Sequence, residues 1–257
     1  MNKYLKNLNR IEFVVTMACT GRCKHCSQGE HKSTECIDKA VASDAVERIS
    51  AEYDIKSVMT FGGEPLLFPD VVCEIHKAAK KMNIAKRQLI TNGYFSKDYK
   101  KISLVAQELA ESGVNEILLS VDAFHQETIP LEYVKAFAEA VKETGVVLKL
   151  QPAWLQSVEA DNIYNIKTRE LLGEFEDIEI GEGNVIFPSG NALKYLSEYF
   201  DFSKKQKNPY DENPKDIKAI CFSANGDILG SNIYEKDISK ILSEYKPKSR
   251  FVCKIKK

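Results

Sequence analysis

The sequence lacks any run of about 18 apolar residues that would cross a membrane, and its first ten residues are polar and basic, unlike a secretory signal. It also lacks an excess of charge of either sign. With 36 basic and 37 acidic side chains the formal net charge is -1, so no global attraction to nucleic acid or to an anionic membrane is expected. The seven cysteines are an odd number, which argues against a closed set of disulfide bonds. These absences predict a cytoplasmic protein without a nucleic-acid or membrane partner, whose cysteines are metal ligands or buried thiols.

The composition is that of a globular protein, with 44% hydrophobic and 28% charged residues over 257 positions. Short β-rich runs recur along the chain, from Ile55 onwards at intervals of roughly 30 residues, the length of one strand–helix unit, and helical periodicity fills the gaps. The runs lie at Ile11–Thr16, Ile55–Thr60, Gln88–Thr91, Glu116–Val121 and Val146–Leu150, with a further one near Ile178–Ile186. Strands that alternate with helices predict the α/β class, with a parallel sheet forming an open or partial barrel. Active sites of such barrels lie at the carboxyl ends of the strands.

The strand–helix pattern fades towards the C-terminal end. Residues 201–216 are polar with two prolines and predict a loop, which would divide a core of residues 1–200 from an extension of residues 217–257. In the extension, apolar residues flank Asn225–Gly226, a strong hairpin signal, and a short helix to Tyr245 follows. A lone hairpin is marginal in water, so we expect this segment to pack over the barrel mouth or a sheet edge.

Three cysteines follow the first predicted strand at short intervals, namely Cys19, Cys23 and Cys26. Thiolates this close on one loop are able to converge on one centre, and sulfur ligands favour zinc or iron–sulfur clusters. Structural zinc sites take four protein ligands, usually as two CxxC pairs, and the sequence has no second pair. A 4Fe-4S cluster bound by three cysteines would keep one iron open for a substrate. The spacing therefore predicts such a cluster, with a zinc or incidental arrangement as the alternative.

With this cysteine motif the sequence resembles the radical S-adenosylmethionine (SAM) superfamily over about residues 11–187. Gly62–Pro65 (GGEP) follows the second strand, where the family carries a GGE motif, while Thr91–Gly93 (TNG) follows the third and Ser120–Asp122 (SVD) the fourth. The resemblance implies a partial (βα)6-type barrel with a short C-terminal hairpin–helix extension. It also implies one 4Fe-4S cluster on the three cysteines, SAM as a second cofactor, and an electron donor such as a flavodoxin or ferredoxin. An electron from the cluster would cleave SAM to methionine and a 5′-deoxyadenosyl radical, which would abstract a hydrogen atom from the substrate.

The resemblance further implies roles for residues near the cysteines and after the second strand. The backbone of Gly62 and Gly63 would meet the methionine amino group of SAM, because no Cβ stands in the way. Glu64 would assist, unless this stretch is no more than a strand-to-helix turn. The ring of His25, just before the third cysteine, would lie beside the adenine or would otherwise belong to the loop.

Polar residues after the later strands complete the expected site. Ser120 and Asp122, on one face of the fourth strand, would point at the ribose, or else cap a helix or turn. Asn92 is a further candidate for cofactor contact, although Asn-Gly also favours turns, and Gln151 would otherwise fill the barrel. The sequence does not assign a catalytic side chain. The weak candidates are Asp122 and His125, since a histidine at a barrel mouth exchanges protons near neutral pH.

The extension resembles the start of the SPASM/twitch-type segments of radical SAM peptide and protein maturases, which bind auxiliary clusters through cysteines. Here Cys221 is present, Ser231 lies near the expected second cysteine, and Cys253 is the remaining one. Two cysteines cannot saturate a cluster, so we expect no auxiliary cluster. The substrate implied is a peptide, a protein or a small molecule. A glycyl-radical-enzyme activase is the alternative within the superfamily, and a non-catalytic metal-binding or scaffold protein is the alternative of another class.

Overall fold

Parallel strands form the central sheet of the computed structural model, which describes residues 2–30, 33–203, 208–209 and 211–247. The strands of this sheet are β1 (Arg10–Val14), β2 (Ser57–Phe61), β3 (Lys86–Thr91), β4 (Glu116–Leu119), β5 (Val147–Leu150), β7 (Glu179–Ile180) and β9 (Ala219–Phe222). Two small pairs lie outside it, β6 (Ala153–Trp154) with β8 (Asn184–Val185) and β10 (Asp227–Ile228) with β11 (Ser231–Asn232). The central order is β7-β5-β4-β3-β2-β1-β9, and no ladder joins β7 to β9 in the described residues. The sheet is therefore open, and the predicted α/β class with a partial barrel is confirmed.

Helices connect the strands, and several of them begin or end at a capping residue. They are α1 (Lys39–Glu52), α2 (Pro69–Lys81), α3 (Tyr99–Ser112), α4 (Ala123–Gln126), α5 (Leu131–Thr144), α6 (Ile163–Leu172), α7 (Gly190–Tyr195) and α8 (Ile238–Glu244). The Asp38 side chain accepts from the first backbone N–H groups of α1. Gly113 and Gly145 end α3 and α5 with φ angles of 100° and 75°, a left-handed conformation that glycine adopts without strain. Among the described helices, none is both long and apolar enough to cross a membrane.

The two faces of the central sheet differ in polarity. Side chains such as Ile11, Phe13 and Val58 are fully buried in the core shared with the helices. The opposite face is mixed: it carries the polar and charged side chains of Arg10, Glu12, Gln88, Glu116 and Lys149 beside apolar ones, namely Val14, Met59, Phe61, Ile90 and Leu118. Several of the polar side chains pair with one another, as where Gln88 Nε2 donates to Glu116 Oε2 at 2.8 Å. A parallel sheet covered on both faces is apolar throughout, so the mixed face is the open side of this sheet.

The C-terminal extension contributes a strand to the sheet. β9 runs parallel to β1 and pairs with it from Arg10 opposite Ala219 to Phe13 opposite Phe222. The rings of Phe13 and Phe222 stack with centroids 4.8 Å apart, and both side chains are fully buried. The expectation that this segment packs on a sheet edge is therefore confirmed, and the edge it covers is that of the first strand.

The hairpin within the extension is not the predicted one. Asn225–Gly226 turns the chain from β9 into β10, with Gly226 N donating to the carbonyl of Ser223, but the paired strands are β10 and β11. The turn between them is Leu229–Gly230, whose φ angles of 50° and 75° are both left-handed, as a tight two-residue hairpin requires. The prediction was wrong because the apolar run before the Asn-Gly pair is taken up by β9 in the central sheet. Cys221 is half-buried in β9 and Cys253 lies outside the described residues, so their binding no cluster stays a prediction.

Candidate active site

A cavity lies at the carboxyl ends of β1 to β4, where neighbouring parallel strands end side by side. The three cysteines that line it belong to residues 15–30, a segment that directly follows β1. We call this segment the cysteine loop. The residues that line the cavity are Cys19, Gly21, Cys23, His25, Cys26, Phe61, Gly62, Gly63, Ile90, Thr91, Asn92, Ser120 and His125. The structure thus brings the cysteine triplet together with the segments that follow β2, β3 and β4.

The two glycines after β2 allow the cysteine loop to pack closely on this strand end. Gly63 N donates to the carbonyl oxygen of Thr16 at 2.8 Å, and Glu64 N donates to that of Ala18 at 2.7 Å. A Cβ on Gly62 would lie 2.5 Å from the Thr16 carbonyl oxygen, and one on Gly63 would collide with the Ala18 carbonyl oxygen. Sequence reasoning attributed the glycines to close approach of SAM. In the structure, the close packing of the cysteine loop is enough to explain why both positions are glycine.

Glu64 is a buried bridge between the ends of β2 and β3. Its Oε1 accepts from Leu66 N at 2.9 Å and from the Thr91 hydroxyl at 2.7 Å, and its Oε2 accepts from Asn92 N at 2.8 Å. The side chain is fully buried, and burial raises the pKa of this carboxyl to about 7. Glu64 therefore positions the TNG turn and is not among the residues that line the cavity, and its assistance to the SAM amino group stays a prediction.

Asn92 connects that turn to the cysteine loop. Its Nδ2 lies 3.7 Å from Cys19 Sγ and 3.2 Å from Thr20 Oγ1, and its Oδ1 accepts from Tyr94 N at 2.8 Å. The side chain is 6% exposed. Asn92 thus makes the predicted Asn-Gly turn and also contacts a cysteine sulfur at the cavity.

The far side of the cysteine loop is held by the start of α7. Asn191 Nδ2 donates to the Cys23 carbonyl at 3.1 Å, and Asn191 N donates to the Cys26 carbonyl at 2.9 Å. Gly190 packs so closely on this loop that a Cβ there would lie 2.5 Å from the Ser27 carbonyl oxygen. Sequence reasoning did not identify Asn191 as part of the site. Its signal was the run IFPSGNAL, which contains Gly190 and Asn191 directly after a serine.

The donor atoms of the cavity fit an iron–sulfur cluster. Three thiols of one loop reach the same cavity, and thiolate ligands are those that iron–sulfur clusters take. Burial raises the pKa of Cys19 to about 11 and also raises the pKa of Cys23 and of Cys26, so a cationic centre is needed to make them thiolates. A zinc site is the alternative. The ligand atoms of Cys23, His25 and His125 lie within 4.8 Å of one another, but this set offers one thiolate and leaves two cysteines without a role.

Asp122 lies beyond the end of β4 and caps α4. Its Oδ1 accepts from Phe124 N at 3.0 Å and His125 N at 2.9 Å, and its Oδ2 accepts from Ala153 N at 3.0 Å and lies 2.7 Å from His125 Nδ1. The carboxylate is fully buried and does not line the cavity; although burial opposes ionisation, His125 lowers its pKa. The expectation that Asp122 shares a strand face with Ser120 was wrong, because β4 ends at Leu119 and strand alternation no longer applies.

His25 and His125 form the aromatic wall of the cavity. Their ring centroids lie 4.7 Å apart, and the centroid of His25 lies 5.1 Å from that of Phe124. Burial lowers the pKa of His25 to about 4, so its ring is neutral at physiological pH. Asp122 engages Nδ1 of His125, which leaves Nε2 of that ring for other partners.

The two remaining candidates, Ser120 and Gln151, have different surroundings. Ser120 is 9% exposed and lines the cavity, and its backbone N donates to the Thr91 carbonyl at 2.8 Å. Gln151 continues the sheet by donating from its backbone N to the Leu119 carbonyl at 2.8 Å, and its Oε1 lies beside Gly181. The structure therefore brings Ser120 to the cysteine loop, whereas Gln151 is not among the residues that line the cavity.

Comparison with known sequences agrees with this site. Residues 13–148, more than half of the chain, match the profile described as the Radical SAM superfamily. A GTP 3',8-cyclase of Clostridium perfringens is 27% identical over 221 residues, which is 80% of this chain and 65% of that protein. A probable GTP 3',8-cyclase of Saccharolobus islandicus is 24% identical and covers 78% of this chain. This chain thus spans about 65% of the length of the first of these relatives.

Solved structures with bound S-adenosylmethionine share this fold. SuiB of Streptococcus suis bound to S-adenosylmethionine superposes with a TM-score of 0.60 at 14% identity, over 93% of this chain and 66% of SuiB. The protein anSMEcpe with bound AdoMet gives a TM-score of 0.57 at 15% identity, over 90% of this chain and 76% of its own. At such identities the likeness concerns the fold. Taken with the profile match and the three-cysteine cavity, it leads to the conclusion that this chain is an enzyme of the radical SAM superfamily, whose cofactors are a 4Fe-4S cluster and SAM.

Proposed function

We propose that this enzyme cleaves SAM reductively at a cluster held by Cys19, Cys23 and Cys26 and abstracts a hydrogen atom from a peptide, protein or small-molecule substrate. The observation that carries the proposal is the convergence of these cysteines with the segments after β2, β3 and β4 on one cavity. A flavodoxin- or ferredoxin-type protein would supply the electron.

The residues that line the cavity have separate positioning roles in this proposal. Gly62, Gly63 and Ser120 all line the cavity. The backbone of the two glycines would hold the amino-acid part of SAM, and the Ser120 hydroxyl would hold its ribose. The neutral ring of His25 offers a flat surface to the adenine. Asp122 acts on the cavity indirectly, because its carboxylate fixes the ring of His125 through Nδ1.

When bound, the cluster and SAM supply reductive cleavage of a carbon–sulfur bond and, with it, removal of one hydrogen atom from the substrate. The protein's own part is to hold the reactants and to keep water out. Cys23 is 7% exposed and Asn92 is 6% exposed, so the protein shields this part of the cavity from solvent, while Cys19 and Cys26 are partly exposed. His125 Nε2, free of Asp122, is placed to donate or accept a hydrogen bond inside the cavity.

The open face of the sheet favours polar groups on the part of a substrate that lies over its charged side chains, while Phe61 and Ile90 on the same face line the cavity. It carries both signs of charge, with Arg10 Nε 2.6 Å from Glu12 Oε1 and Lys149 Nζ 4.0 Å from Glu116 Oε1. Covering these groups with an apolar molecule would remove their hydration without new hydrogen bonds, which is unfavourable. A polar substrate that exchanges hydrogen bonds with them avoids this cost.

A second candidate function is the cyclisation of a nucleotide such as GTP. It is favoured by the names of relatives that are 24–27% identical to this chain, which are GTP 3',8-cyclases. Because this chain spans about 65% of the length of the first of these relatives, the activity of the whole relative is a proposal here.

The cluster assignment is tested by anaerobic reconstitution with iron and sulfide, followed by metal analysis and a 5′-deoxyadenosine assay with dithionite and SAM. We expect about four irons per chain and release of 5′-deoxyadenosine. Cys19→Ser should abolish that release, whereas the matched control Cys36→Ser, a half-buried cysteine that does not line the cavity, should retain both properties. Full iron content and SAM cleavage in a variant with Ala at positions 19, 23 and 26 would contradict the proposal.

The substrate class is tested by adding candidates to the reconstituted enzyme and measuring whether 5′-deoxyadenosine release rises with their consumption. Proportional consumption of GTP supports the second candidate. Proportional modification of a peptide or small metabolite supports the first. A protein partner that acquires a glycyl radical signal in electron paramagnetic resonance would identify an activase instead.

A further inference from the structure

The side-chain amide of Asn92 meets the cysteine loop at a sulfur atom. Its Nδ2 lies 3.7 Å from Cys19 Sγ, a separation typical of a hydrogen bond to sulfur, which is a larger acceptor than oxygen. The same nitrogen lies 3.2 Å from Thr20 Oγ1. The two N–H groups of the amide thus have two acceptors on the loop.

The orientation of this amide follows from its neighbour. The backbone N–H of Tyr94 donates to Asn92 Oδ1 at 2.8 Å, and a backbone N–H is not able to accept a hydrogen bond. The amide oxygen must therefore face Tyr94, which turns the NH2 group towards Cys19. If the amide were flipped, its NH2 group would face the N–H group of Tyr94, and both are donors.

The backbone of Asn92 is fixed as well. Asn92 N donates to Glu64 Oε2 at 2.8 Å, and Glu64 Oε1 is itself held by Leu66 N and the Thr91 hydroxyl. Both Glu64 and Asn92 are more than nine-tenths buried. The donor is therefore preorganised, and the buried setting strengthens its hydrogen bond because the local dielectric constant is low.

We propose that the Asn92 amide is a positioning residue that donates a hydrogen bond to the Cys19 thiolate of the cluster and thereby raises the cluster's reduction potential. The inference rests on the proposed function, in which Cys19 is a cluster ligand. Reduction adds one negative charge to the cluster and its sulfur ligands, so a donor to a ligating sulfur stabilises the reduced state more than the oxidised one. An easier reduction brings the cluster within reach of a protein electron donor.

The test is an anaerobic redox titration of the reconstituted protein, followed by electron paramagnetic resonance of the reduced cluster. Asn92→Asp has the same shape and keeps an oxygen for Tyr94 N, but it replaces the donor with a carboxylate oxygen. Asn92→Ala removes the donor without adding charge. Two matched controls leave the Asn92 N–H···S bond in place: Thr20→Val removes the side-chain hydroxyl that is the other acceptor of the amide, and Asn191→Ala removes an amide that donates to the Cys23 carbonyl.

We expect both Asn92 variants to bind the cluster and to be harder to reduce. The reduction equilibrium constant should fall about tenfold in Asn92→Ala, which is ~59 mV for a one-electron couple. It should fall further in Asn92→Asp because of the added charge. Both controls should stay within about twofold of wild type, since neither removes the N–H···S bond.

Three results would overturn the inference. The first is an unchanged reduction potential of the cluster in both Asn92 variants at full iron content. The second is a shift of the reduction potential in Asn191→Ala as large as that in the Asn92 variants, which would indicate general loosening of the loop. If the Asn92 variants lose iron, the wild-type protein with ¹⁵N-labelled asparagine side chains decides, because a hydrogen-bonded amide must show magnetic coupling to the reduced cluster. Absence of that coupling is the third. A wild-type chain without any cluster on Cys19 would overturn the proposed function together with this inference.

Discussion

Replacing Asp122 by Asn tests whether this carboxylate acts through His125 or touches a bound nucleoside. The substitution preserves size and keeps Oδ1, which caps α4 by accepting from Phe124 N and His125 N. It converts Oδ2 into an NH2 group. In the wild-type protein, Oδ2 accepts from Ala153 N at 3.0 Å and lies 2.7 Å from His125 Nδ1. The new NH2 group would face both nitrogens.

The expected cost follows from these contacts. Ala153 N would lose its buried acceptor, and a stranded buried donor costs about 1–3 kcal/mol in the free energy of unfolding. His125 Nδ1 would have to accept from the new NH2 group, so the ring proton would move to Nε2, on the other side of the ring. Asp122→Asn should therefore lower stability by about 1–3 kcal/mol and change the tautomer of His125.

Urea denaturation at neutral pH measures the stability, and ¹⁵N spectra of the histidine rings report the tautomer. The third measurement is the affinity of the reconstituted protein for SAM. It should fall less than about tenfold, because Asp122 makes no direct contact with SAM in this reasoning. A variant as stable as wild type within about 0.5 kcal/mol, yet with SAM binding weakened far more than tenfold, would refute this reasoning. It would restore the role at the ribose that sequence alone suggested.

Three further predictions concern the fold around the site. Burial lowers the pKa of His76 to about 3, below its unfolded value, so the neutral ring contributes stability that is lost as pH falls below about 6.5. Between pH 7 and 5 wild type should lose about 2 kcal/mol more than His76→Gln in denaturation experiments, and equal losses would contradict this. Phe222→Ala should cost about 3–5 kcal/mol, against less than about 0.5 for the exposed control Phe202→Ala; a small effect would mean that β9 is not part of the core. Gly63→Ala should cost about 1–3 kcal/mol and reduce iron loading. The control is Gly145→Ala, at a position with open space around it and a left-handed backbone. It should cost about 1 kcal/mol and leave iron loading unchanged. Equal iron loading in Gly63→Ala and Gly145→Ala would count against the loop-packing argument.

The fold class and the meeting of motifs at one cavity were predictable because strand ends are local features of sequence. Each motif follows a β-rich run, and parallel topology brings such positions to one end of the sheet. The cysteines and Ser120 needed no more than this to be brought to the cavity.

The surroundings of Glu64 and Asp122 were not predictable, for physical reasons. Both are charged residues next to a motif, but their partners are backbone N–H groups and side chains from other segments, such as Asn92 N and Ala153 N. Whether a carboxylate faces a cavity or a helix end depends on where the preceding strand stops, and strand ends are uncertain by two or more residues from sequence. The packing of the extension on a sheet edge was predicted, but its parallel pairing with β1 was not, because pairing with a distant strand has no local signature.

The pairing of β9 with β1 sets an order of events during synthesis. The two strands lie more than 200 residues apart in the chain, and contacts of such long range form slowly compared with local helices. Until residue 222 has left the ribosome, the outer edge of β1 presents unpaired N–H and C=O groups, an open template for pairing with another chain. The strand that leads into the cysteine loop is thus the last of the central strands to be completed on both sides. A nascent chain that received its cluster before that moment would hold it beside a strand whose outer edge is still unpaired.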